Sequence, residues 1–264
     1  MTKQIVFAIA LLLTFAVFSY TVARIIRFFS LTKKGFPIKN LGKRFMIMTE
    51  VAFGQTKIFR RPVLGFLHAV VFWGFCVIIF GSIEMVIDGL FGIEKSLSFL
   101  GWFYDFLMAS GDVFAFLIAI AIIVFLFRRV FLHVKRFEGI EMKKISHIDA
   151  NVALTIILVL MLSLLGMNAA YVSHTMAIGG EIHGAYPVSN YLASIFSGMS
   201  AESMLVQYEI YWWMHILLIF VFANMLPYSK LFHVFMSVPN VFLSRLEPLG
   251  KLTNMDNVTR EVKL

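Results

Sequence analysis

Charge is scarce in this chain. Asp, Glu, Lys and Arg make up 14% of its 264 residues, while hydrophobic residues make up 60%. A soluble domain carries roughly 25% charged residues, so a mainly water-facing surface is excluded. Cysteine is nearly absent. Cys76 stands alone, which excludes an internal disulfide and a four-thiolate iron–sulfur cluster within these residues. Any cluster chemistry is expected on another polypeptide or beyond residue 264. No C-x-x-C-H run occurs, so covalent c-type haem attachment is excluded. Internal repeats and low-complexity tracts are also missing. The apolar stretches do not alternate in polarity, as the strands of an outer-membrane barrel would.

What the chain does have is long apolar runs, at 5–26, 62–83, 113–132, 150–173 and 210–235. Crossing about 30 Å of hydrocarbon takes about 20 helical residues. The expected fold is an all-α integral membrane bundle of five transmembrane helices. The first run is too long for a signal-peptide core and its main positive charge, Arg24 and Arg27, follows it, so it reads as a retained helix.

Charge sets the expected orientation. Of 23 Lys and Arg residues, ten lie between runs one and two, six between runs three and four, and five from Lys230 onward. By the positive-inside rule the N-terminus is outside and the C-terminus cytoplasmic. The net charge of +8 then follows from topology and calls for no nucleic-acid partner. Trp102, Tyr104, Trp212 and Trp213 fall near expected outer helix ends, where interfacial aromatics sit.

The connections carry their own signals. Segment 27–61 is basic and partly amphipathic, which suits an interfacial helix. Pro62 is a good first-turn residue for the second helix. The stretch 84–112 reads as an outer connection ending in "SGD", with Asp112 capping the third helix. Segment 174–209 begins irregularly and ends in a short helix lying on the membrane. The chain divides into a membrane domain, 1–235, and a polar tail or linker, 236–264, with too little apolar surface to fold alone.

Two histidines in the last run, His215 and His233, are eighteen residues apart. On a straight helix that is about five whole turns and about 27 Å, so both rings share one face at opposite membrane surfaces. Pro227 lies between them and is a kink site. An imidazole in a membrane faces the bundle interior and a partner. Haem b, held by neutral imidazoles on both axial sides, is the cofactor that suits this arrangement.

His68, about six residues into the second helix, is level with His233 at the cytoplasmic end, and the two form the expected ligand pair. The competing reading has His68 packing and His233 as an interfacial residue. For a second haem at His215 the partner candidates are His174, then His183, Met85 and Met108; His174 serves equally as a quinone-pocket residue. His133 and His147 read as surface or propionate-side residues. Arg60, Arg61, Arg128 and Arg129 cluster at the inner mouth, where paired arginines bind haem propionates, although the positive-inside bias alone also accounts for them. Glu84, Asp88 and His174 are the outer candidates for quinone proton exchange, against a solvated-loop reading. Asn168 and Asn224 are expected to bridge helices by hydrogen bonds.

The segments "FGQTK…RRPVLGFLHAVVFWGF", "MHILLIFVFANMLPYSKLFHVF" and "PN…EPLGKLTNMDNVTREVKL" resemble the membrane part of bacterial iron–sulfur oxidoreductases related to heterodisulfide reductase. Their N-terminal bundle is similar to the gamma subunit of respiratory nitrate reductase. The resemblance implies that His215 and His233 match the two ligand histidines of the fifth helix and that His68 matches the first of the second helix. The other second-helix ligand falls at Ile78, which cannot bind iron. It further implies haem b, one or two per chain, quinone as substrate, and a cysteine-rich iron–sulfur domain or subunit as partner. Relatives of this kind serve electron-transfer flavoprotein and menaquinone. The expected function is a haem b oxidoreductase module carrying electrons between such a partner and quinone. The alternatives are a nitrate-reductase-like quinol-oxidising gamma subunit and a haem-free membrane anchor or transporter.

Overall fold

The computed structural model describes residues 1–32, 38–132, 144–247 and 250. His133 and the tail from 251 onward, on which expectations were placed, lie outside the described residues. Among the described residues eight α-helices succeed one another: α1 (Thr2–Ser30), α2 (Leu41–Met48), α3 (Pro62–Phe91), α4 (Trp102–Val130), α5 (Lys144–Ala177), α6 (Ser189–Leu192), α7 (Ala201–Met225) and α8 (His233–Phe242). No strand occurs among the described residues. α1, α3, α4, α5 and α7 are long and apolar enough to cross a membrane.

The core is formed where α4, α5 and α7 meet, around Ala115, Ile118, Ile122, Leu160 and Leu165. Small residues set the close approaches. A Cβ on Gly166 of α5 would stand 2.8 Å from the Tyr211 ring of α7, and one on Gly74 of α3 would meet Ile118 and Phe114 of α4. In a membrane, dispersion between closely approaching backbones takes over from the hydrophobic effect, so such contacts hold helices together. α1 lies at the edge. It is anchored by Phe7, which fills the gap at Gly89 and packs on Trp212 and Phe220. The Thr21 and Tyr228 hydroxyls pair 2.8 Å apart, and Asn224 reaches the Thr14 carbonyl as a helix-bridging amide.

Three expectations change. α4 starts at Trp102, not near 113, so Asp112 sits inside the helix and caps nothing of α4. Its buried carboxylate instead accepts the Val188 and Ser189 N–H groups, the Ser189 hydroxyl and the Asn168 amide. It ties the long connection after α5 to the bundle. Second, the last run is not one helix. α7 ends at Met225, a 3-10 turn carries Pro227, Ser229 is extended, and α8 begins at His233 itself. Proline removes a backbone donor and clashes one turn back, which breaks the helix at this point. Third, the start of the presumed linker is helical, because α8 runs to Phe242.

The basic segment after α1 does contain a helix. α2 continues into a π-helical turn, Thr49–Phe53, and packs on α8. The two are joined by Arg44, whose buried guanidinium donates to the carbonyls of Lys39, Phe242 and Ser244.

Candidate functional site

The bundle has two chemically different ends. At the basic end, α3 begins at Pro62 after a 3-10 turn, and His68 lies six residues in. The break at Ser229 turns the chain so that His233 faces it. The two ring centres are 6.3 Å apart with 34° between planes. His233 Nδ1 is 2.9 Å from the Lys230 carbonyl, so that nitrogen carries the proton and Nε2 is left bare as a donor of electron density. His68 is half-buried and its Nδ1 is buried with no hydrogen-bond partner among protein atoms. A metal–imidazole bond is about 2 Å and the ring centre lies about 1 Å beyond it, so two rings on opposite sides of one iron stand about 6 Å apart. The observed pair fits that span.

The predicted arginines lie at helix ends on the basic side. Arg60 and Arg61 precede α3 and are exposed; Arg128 and Arg129 end α4. Arg129 donates to Asn151 of α5 at 2.6 Å. His147 opens the described side chains of α5 and is half-exposed.

The opposite end is rich in tyrosine. Glu84 is 3% exposed, not a solvated loop residue. It accepts the Leu97 N–H and the Tyr104 hydroxyl, at 3.1 and 3.0 Å. Asp88 accepts the N–H groups of Lys95 and Ser96, which fastens the turn after α3. Lys95, also buried, donates to the Tyr186 hydroxyl at 2.8 Å and lies 4.5 Å above the Tyr171 ring. Burial raises the Tyr186 phenol above its ordinary range, with the Lys95 ammonium working the other way.

His215 is placed deeper than expected. It is fully buried, and its Nδ1 lies 3.0 Å from the Leu160 carbonyl and 2.9 Å from the Ser163 hydroxyl. Ser163 is fourteen residues from the end of α5 at Ala177, or about 21 Å along the helix. His174, eleven residues beyond Ser163 on α5, is therefore about 16 Å away along the axis and is not brought to His215. His183 is further along the connection, its N–H bonded to Tyr171. His215 instead faces a cavity between α3, α4, α5 and α7, lined also by Ile78, Gly81, Glu84, Lys95 and Gly111. No cluster of three or more His, Cys, Asp or Glu side chains suited to a metal occurs among the described residues.

Residues 68–248 match the nitrate reductase gamma subunit family model. The chain belongs to the nitrate reductase gamma subunit family. The match begins at His68 and includes His215 and His233. It is 29% identical over 208 residues to EtfAB:quinone oxidoreductase of Syntrophomonas wolfei, covering 75% of this chain and 27% of that protein. It is 30% identical over 207 residues to the probable iron-sulfur-binding oxidoreductase FadF of Bacillus subtilis, covering 77% of this chain and 27% of that one. The chain thus spans about a quarter of the length of the curated relatives it matches. No solved structure matches it. With five membrane-length helices, this gamma-family chain is a multi-pass membrane protein.

Sequence reading missed Arg44, Ser163 and the Lys95–Tyr186 pair, and gave Asp112 the wrong role. For Asp112 a signal existed: an ionisable residue inside an apolar run faces inward and has a partner. For Lys95, in a mixed loop, none did.

Proposed function

We propose that the chain is a haem b module that passes electrons between an iron–sulfur oxidoreductase unit at its basic end and quinone in the membrane. The observation that carries this reading is the His68–His233 pair, 6.3 Å between ring centres. A haem b bound there supplies one-electron transfer. His68 and His233 hold it, and the Lys230 carbonyl orients the His233 ring through Nδ1–H. Arg60, Arg61 and Arg128 supply positive charge for carboxylates near that mouth. α2 and α8, locked by Arg44, form the platform beside it.

An iron–sulfur unit is proposed as partner because both relatives are longer proteins and one is named as an iron-sulfur-binding oxidoreductase; it is put at this end because α8 and the chain after it lie here. Electron-transfer flavoprotein as the source and quinone as the acceptor follow from the first relative's name alone; menaquinone follows only from the resemblance to iron–sulfur oxidoreductases of this kind. The basic end faces the cytoplasm in this reading, with the N-terminus outside and the bundle in a bacterial inner membrane. Residues 1–235 carry the membrane function, and the chain from α8 onward leads to the iron–sulfur unit.

The family match favours one rival, a gamma subunit that oxidises quinol for a nitrate-reductase-like partner. A haem-free anchor or transporter is the other. A reduced-minus-oxidised spectrum of the purified chain decides first between haem and none: a b-type alpha band is expected. Its absence from chain expressed with ample haem overturns the proposal. Reduction of that band by electron-transfer flavoprotein or by quinol, with the partner present, then separates the two haem readings.

A further inference from the structure

The His233 ring hangs on a break in the chain, and a break has to be held from outside. Between α7 and α8 the backbone passes through the Leu226–Tyr228 turn, an extended Ser229 and a second 3-10 turn, Lys230–Phe232. That second turn opens a new helical run, whose first N–H groups have no partner within the run. Ser229 meets two of them from inside the segment. Its hydroxyl accepts the Leu231 N–H at 2.8 Å, and its carbonyl accepts the Phe232 N–H at 3.0 Å. The Lys230 N–H is met from another span. It donates at 2.9 Å to Oδ2 of Asp149, a half-buried residue near the start of α5 and 81 positions earlier in sequence.

Asp149 stands on firm ground. α5 packs on the Lys230–Phe232 turn. Asp149 also lies within electrostatic reach of Arg129 of α4, and Arg129 donates to Asn151 of α5 at 2.6 Å. A carboxylate at the start of a helical run faces the positive end of its dipole and makes a charge-assisted hydrogen bond. Lys230 is therefore held at its nitrogen by α5. At its carbonyl it holds His233, whose Nδ1 is 2.9 Å away. Arg44 grips the same segment at Phe242 and Ser244, at the other end of α8 from the ring. The hold at Lys230 is the near one. His68 has no need of either, since it lies inside the unbroken helix α3.

We infer that Asp149 is a positioning residue for His233: by fixing Lys230 it sets the plane and reach of the ring that faces His68. The inference rests on the proposed haem between His68 and His233. It gives α5, which supplies neither ring of the pair, the task of holding the ring of α8. Without the carboxylate the turn keeps its internal bonds to Ser229 and loses this tie to the bundle. The ring then swings on a loosened joint while the packing of α3, α5 and α7 is unchanged.

Carbon monoxide reads that joint. Ferrous haem held by both imidazoles has no open position, so an iron–carbon bond forms only when one iron–nitrogen bond breaks. His233, exposed on the broken segment, is the ring placed to let go. In Asp149→Ala, carbon monoxide is expected to bind the dithionite-reduced chain about tenfold faster than in the parent, the worth of one hydrogen bond to a charged group. Asp149→Asn keeps a side-chain carbonyl as acceptor and is expected to recover most of the difference. The largest electron paramagnetic resonance g value of the oxidised haem follows the angle between the imidazole planes. It is expected to shift or broaden in Asp149→Ala and to return in Asp149→Asn. Haem lost from Asp149→Ala and restored in Asp149→Asn supports the inference equally. An unchanged binding rate and g value in Asp149→Ala, with the b band intact, overturn it and leave the haem proposal standing. Equal changes in the Ala and Asn variants also overturn it, because charge and not the hydrogen bond is then at work. A parent with no b band overturns the haem proposal, and this inference with it.

Discussion

The two ends of the bundle handle buried polarity in opposite ways. At the tyrosine end the buried charged groups are met by partners: Glu84 by Tyr104 and Leu97, Asp112 by Ser189, Val188 and Asn168, Lys95 by Tyr186. At the basic end His68 keeps a buried ring nitrogen with no protein partner, and His233 is exposed beside it. Buried polar groups are normally paired, because an unpaired one costs about 1–3 kcal/mol. The open His68 nitrogen at the basic end is what the proposed haem would fill.

That contrast is best broken at the histidines. His68→Ala or His233→Ala should abolish the b-type alpha band outright, while the far-ultraviolet circular dichroism of the bundle stays that of the parent. Retention of the band in both variants would place the haem elsewhere. Next in size is Asp112→Ala. Four donors lose their acceptor, two of them backbone N–H groups, and the expected cost is about 3 kcal/mol, read as a lowered melting temperature in detergent. An unchanged melting temperature would mean that water replaces the carboxylate without loss.

Gly166→Val comes third. The added atoms meet the Tyr211 ring 2.8 Å from the Cβ position, and overpacking of that kind costs about 1–3 kcal/mol. The same melting assay reads it, and Tyr211→Ala should restore most of the loss if the clash is the cause. The smallest effect is expected at Lys3, which pairs with Glu209 at 2.6 Å and lies over the Trp212 ring. Both partners are about a third exposed or more, and a pair of that kind contributes about 0–1 kcal/mol. Lys3→Ala should leave the melting temperature within error at high salt.

Much of the architecture was readable from hydropathy, because a span needs only length and apolarity. The five runs correspond to α1, α3, α4, α5 and α7. Boundaries were less readable. The third run was cut short at residue 113 because Asp105, Ser110, Gly111 and Asp112 look like a loop. In the fold α4 passes straight through them, since Asp112 finds partners from a connection that is 76 residues later in sequence. No local pattern announces such a partner. At the candidate haem site, residue identity was legible and geometry was not. His68 and His233 were paired on depth, but the straight-helix argument for His233 fails at Ser229. His215 shows the same limit: its ring was placed near the membrane surface, whereas Leu160 and Ser163 of α5 hold it deep in the bundle.

Because His233 opens α8 instead of closing α7, its ring rides on a short surface lever whose far end, Phe242 to Ser244, is gripped by Arg44. A tug on the polypeptide past Ser244 reaches that imidazole through ten helical residues while the fifth span stays still. In the proposed function, docking of the iron–sulfur unit at that end would become a mechanical input to the haem ligand His233.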